Sequence, residues 1–139
     1  MENFFSIFRK KKTNKDIIEQ WLLTIENEND LPENIIALNF GLYEPYGTMD
    51  LIGSKSYDAQ NDDWACNEDW IPVHRICPML NIPENRAWNE VLAEMKRCIE
   101  ELMQDHPTLK LWKIAHITIG FADSDLTVID NMPKSFFKR

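Results

Sequence analysis

The run IIALNFGLYEPYGTMDLIGSKSY, residues 35–57, decides the fold. Residues 35–43 are apolar on both sides of a two-residue repeat. That pattern predicts a strand buried on both faces and so placed centrally in a sheet. Glu44-Pro45-Tyr46-Gly47 carries turn chemistry, and residues 49–57 read as the returning strand. A β-hairpin is thus predicted near the middle of a 139-residue chain, which is long enough for one domain with a real core.

Working toward the N-terminus, Pro32 and the polar ENENDLPEN stretch break the chain before the hairpin. Ahead of them Ile17, Ile18, Trp21, Leu22 and Ile25 recur at helical spacing. Thr13 or Asn14 can cap that helix near Lys15, with Asp16 in its favourable first turn. Working toward the C-terminus, Pro83 to His106 predicts the longest helix. Trp88, Val91, Leu92, Met95, Cys98, Ile99, Leu102 and Met103 form its apolar stripe. After Pro107, residues 111–121 alternate as a strand, with Ile117, Ile119 and Phe121 on one face and His116 and Thr118 on the other. Asp123-Ser124-Asp125 turns the chain into a last strand at 126–130, and Trp70 to Val73 offers a short edge strand, limited by Pro72. The predicted architecture is α+β: an antiparallel sheet of four to five strands with two main helices packed on it, as a two-layer sandwich. One domain spans 1–139, with short basic and aromatic arms at 1–12 and 132–139.

Between hairpin and long helix lies YDAQNDDWACNEDW, residues 57–70. It holds Asp58, Asp62, Asp63, Glu68 and Asp69, the indoles Trp64 and Trp70, and no base. Large rings are costly to leave in water, so they either pin the segment to the core or are offered to a partner. Charge points to the kind of partner. The formal net charge is −8, but residues 16–133 carry 7 basic and 22 acidic side chains, a net of −15. Such a body repels nucleic acid and steers a cationic partner. The expected partner-binding residues are therefore Asp58, Asp62, Asp63, Trp64, Glu68, Asp69 and Trp70.

Other chemistry is sparse. Cys66, His74 and Cys77 lack the paired spacing and fourth ligand of structural zinc, and Asp58, Asp62 and Asp63 lack the glycine and closing glutamate of a calcium loop. A Cys–His nucleophilic pair would need His74 or His116 brought to Cys66 or Cys77, and no motif orients one. The four glycines build no phosphate-binding loop. The reading is a non-enzyme without metal or cofactor. No apolar run is long enough for a signal peptide or membrane span, so a cytoplasmic setting is the default. The opening MENFFSIFRKKK supports an alternative, a peripheral membrane or scaffold role. A small metal-dependent enzyme is a second.

The string GSKSYDAQNDDWACNEDWIP, preceded by IIALNFGLYEPYG and followed by HITIGFADSD, resembles a family of small bacterial immunity proteins of polymorphic toxin and contact-dependent inhibition systems. The resemblance covers about residues 35–130. It implies a cytoplasmic protein that binds and blocks a basic toxin domain, a nuclease being the expected kind, with no catalytic residues to carry over.

Overall fold

The computed structural model describes residues 12–44 and 47–129. The N-terminal arm through residue 11, turn residues Pro45 and Tyr46, and the tail with Phe136 and Phe137 lie outside the described residues.

Helix α1 spans Asn14–Glu28. Thr13 is its N-cap and closes a capping box. Its hydroxyl accepts from the Asp16 N–H at 3.1 Å, and the Asp16 carboxylate accepts from the Thr13 N–H at 3.0 Å. These bonds from Thr13 hold the Asp16 carboxyl below its ordinary value. Strands β1 (Ala37–Tyr43) and β2 (Thr48–Ser54) follow as the predicted hairpin, the second ending three residues early. Helix α2 spans Trp88–Asp105 and begins five residues later than predicted. Pro83 makes a turn instead, its carbonyl accepting from the Arg86 N–H at 3.2 Å. Lys110–Lys113, where the spacing predicts a strand beginning at Leu111, forms a 3-10 turn that buries Leu111 and Trp112 together. The alternation becomes a strand only at β3 (His116–Phe121), followed by β4 (Thr127–Ile129).

The sheet order is β2-β1-β3-β4. β1–β2 and β3–β4 are antiparallel hairpins, but the central pair β1–β3 is parallel, with Gly41 beside Gly120 and Phe40 beside Ile119. The sheet is therefore mixed, and the all-antiparallel expectation is corrected. The cause is the connection between the hairpins. It carries residues 55–115, including α2, and so brings the chain back to the end of the sheet from which β1 started. Strand patterning reports burial, not partner direction, and could not reveal this.

Pleat alternation then assigns the faces. Leu38, Phe40, Leu42, Ile117, Ile119 and Phe121 point to one side, where both helices pack and Trp21 meets Phe40 edge-on. The main core lies there, with Val91, Met95, Ile99 and Leu102 from α2. The other face shows Asn39, Gly41, Asp50, Ile52, His116 and Thr118. Beyond β2, residues 70–77 run as a broken edge rather than a regular strand. Trp70 bridges Gly53, Ile76 bridges Asp50, and His74 between them takes a φ of 63°.

Candidate functional site

The face of the sheet turned away from the helices is covered by the acidic segment. Asp62–Cys66 forms a short 3-10 turn, capped by the Asn61 side-chain Oδ1 accepting from the Asp63 N–H at 2.9 Å. The turn lies against β2. Tyr57 stacks flat on His116, with ring centroids 3.8 Å apart and planes within 2°, and its other neighbour is Trp64 at 5.2 Å. This aromatic stack glues a polar loop to a sheet face.

The two tryptophans of the segment separate. Trp64 is only 5 % exposed yet sits outside the main core, as do buried Ile52 and Ala37. Trp70 belongs to the main core, and its N–H and C=O both bond Gly53 at 3.0 and 2.9 Å. Neither ring is presented to solvent. Both rings of the expected partner-binding set are turned inward: Trp64 holds the middle of the segment beside Tyr57, and Trp70 holds its C-terminal end in the core.

The five carboxylates are all on exposed residues, and four are held by hydrogen bonds. Asp58 accepts from the Gln60 N–H at 2.8 Å. Asp62 accepts from the Leu126 N–H at 3.0 Å, tying the cover to the β3–β4 turn. Asp69 accepts from the Lys55 N–H at 2.8 Å. Glu68 receives both terminal nitrogens of Arg75, at 3.1 and 3.0 Å. The Asp63 carboxylate accepts no bond from a described residue. The structure thus brings Asp58, Asp62, Asp63, Glu68 and Asp69 onto one cover, with four of the five carboxylates bonded in place.

Beneath it is a centre that sequence reading missed. Asp50 is 6 % exposed, on the sheet face under the cover. It accepts from Arg75 at 2.8 Å and from the Tyr43 hydroxyl at 3.3 Å. Arg75 therefore bridges a buried carboxylate to a surface one, and Glu68 first, then Asp50, holds its guanidinium charged still more firmly than usual. Burial, with Asp50 close by, pushes the Tyr43 hydroxyl up. Gly41 makes room: a Cβ there would lie 2.6 Å from an Asp50 oxygen. The signal available beforehand was an aspartate inside an apolar strand, followed by a lone arginine after a base-free stretch. Between cover and sheet a cleft of about 310 Å³ remains, lined by Asn39, Gly41 and Gly120 below and Asp62, Cys66 and Glu68 above.

Cys66, His74 and Cys77 are held in separate settings. Cys66 is exposed at the cleft, and His74 pairs through Nδ1 with Glu28 at 2.9 Å. Cys77 is in the main core, where burial pushes its thiol up to about 12, and burial likewise takes Cys98 to about 11. Among the described residues no group of three or more His, Cys, Asp and Glu side chains is placed to share a metal ion. Among them, too, no helix is long and apolar enough to cross a membrane.

No protein-family model, curated protein or solved structure matches the chain.

Proposed function

We propose that this chain is an immunity protein: a stoichiometric, non-catalytic inhibitor that binds a cationic bacterial toxin domain in the cytoplasm, a nuclease being the favoured kind. One observation carries the reading. Five exposed carboxylates ride on a cover whose backbone is fixed by Trp64, by the Tyr57–His116 stack and by the carboxylates' own bonds to backbone N–H groups. A negative surface already ordered before contact loses little entropy on binding and attracts a partner shaped for phosphate. The resemblance of residues 35–130 to immunity proteins supports the same reading.

Because both indoles are used internally, binding should rest on charge more than on these rings. Reversing Asp62 and Asp63 to Lys tests this against a toxin domain encoded beside this chain. Association should slow roughly tenfold or more at low salt, with the gap narrowing as the screening length falls to about 10 Å at 0.1 M. A rate indifferent to both reversal and salt would remove the acidic cover from the interface. Failure of the wild-type chain to protect cells expressing that domain would remove the immunity role.

A further inference from the structure

The parallel pairing of β1 and β3 puts the turns after both strands at the same end of the sheet. There Glu44, Asp123 and Ser124 meet Trp88, the first residue of α2, around a cavity of about 460 Å³ floored by Phe121. Trp88 is 52 % exposed, whereas Trp21, Trp64, Trp70 and Trp112 are buried. Its ring meets that of Phe121 edge-on, with centroids 6.4 Å apart and planes at 89°. Neither the Glu44 nor the Asp123 carboxylate makes a hydrogen bond or ion pair with a described residue. Ser124 donates to the Phe121 carbonyl, leaving its oxygen free to accept. Among the described residues no basic side chain lines the cavity, and the nearest arginine in sequence, Arg86, is engaged by Glu94.

We propose that this cup is a receptor for one arginine side chain of a protein partner, an inference that rests on the basic-partner reading above. A guanidinium is flat and weakly hydrated. It can lie on an indole face while its N–H fork points to carboxylates, a combination that neither an ammonium nor a bare metal ion uses as well. Two acids unpaired among the described residues, beside a half-exposed tryptophan, supply both halves of that recognition. Two carboxylates and one hydroxyl fall short of the roughly six to eight oxygens a calcium ion takes.

The test follows the indole N–H signals of the full chain by NMR while Nα-acetyl-arginine methylamide is added, with the Trp88→Phe variant assigning the resonance. The Trp88 signal should shift saturably and the four buried indoles should not. The lysine analogue should bind more weakly, and the Glu44→Gln/Asp123→Asn double variant should weaken arginine binding roughly tenfold. A stationary Trp88 signal, or an equal shift in the double variant, overturns the proposal. A lysine analogue binding as well as arginine overturns the choice of guanidinium. With a whole basic domain, Trp88→Ala should speed dissociation. Unchanged dissociation alongside a charge-reversal effect at Asp62 and Asp63 would sink the cup and leave the inhibitor reading standing. Arginine binding at the cup by a chain that no basic domain engages would do the reverse.

Discussion

The two faces of the sheet are built on opposite principles. Under the helices, Phe40, Leu38, Ile119 and Leu102 sit in one continuous apolar core. Under the acidic cover, burial is thin and mixed: Ile52 and Trp64 lie near an aspartate–arginine–glutamate chain and the Asn39–Thr118 bond of 2.9 Å. The first face supplies stability, and the second spends some of it to hold charge in fixed places. Such a division lets a surface change without endangering the fold.

The sharpest way to break this contrast is to empty each face in turn. Phe40→Ala should cost about 3–5 kcal/mol in denaturant unfolding, because the ring is fully buried among neighbours from α1 and the strands. Trp64→Ala removes a larger ring but should cost less, about 2–3 kcal/mol, since the cover can settle onto the sheet. Hydrogen exchange should then rise in residues 57–69 while core amides keep their protection. Equal loss of protection on both faces would show that the cover and the core unfold as one unit.

The buried charge sharpens the comparison further. Arg75→Ala leaves Asp50 without its main partner and should cost about 2 kcal/mol, less than for a fully enclosed pair because the guanidinium is partly solvated. Adding Asp50→Asn should restore part of that loss. If the second substitution deepens the loss instead, the pair is not the reason Asp50 is tolerated inside.

The smallest effect belongs to pH. Burial raises the Glu94 carboxyl, but bonds from Arg86 and Asn14 outweigh it and hold the group below 4.5. A depressed carboxyl contributes stability that is complete above its unfolded value and lost as pH falls through the folded one. Unfolding titrations below about pH 4.5 should therefore fall less steeply for Glu94→Gln than for the parent chain, by under about 1 kcal/mol at a partly exposed site.

Local chemistry was legible in the sequence wherever one residue decides the geometry. Thr13 or Asn14 with Asp16 marks the start of the first helix, and residues 35–43 mark a central strand that the structure forms over 37–43. Spacing failed where two structures share one pattern: Leu111 to Ile114 alternates like a strand yet closes a 3-10 turn. Pairing direction failed because it depends on where a connection of some sixty residues returns, which no window of sequence contains. The site was half legible for the same reason. Asp58 to Asp69 are contiguous and visible, whereas Asn39, Asp50, Arg75 and the meeting of Glu44 with Trp88 and Asp123 exist only once β1 and β3 lie side by side.

The reciprocal bonds between Gly53 and Trp70 knot the base of residues 54–69. Everything beyond that knot is a closed loop whose ends are already joined by the sheet. Closure entropy grows only slowly with loop length, about 0.6 kcal/mol for each doubling. Residues between the knot and the Trp64 pin can therefore be lengthened, shortened or exchanged as a unit at small cost. In evolutionary terms a chain tied this way can keep its scaffold and its Trp64 pin while the residues strung between them change.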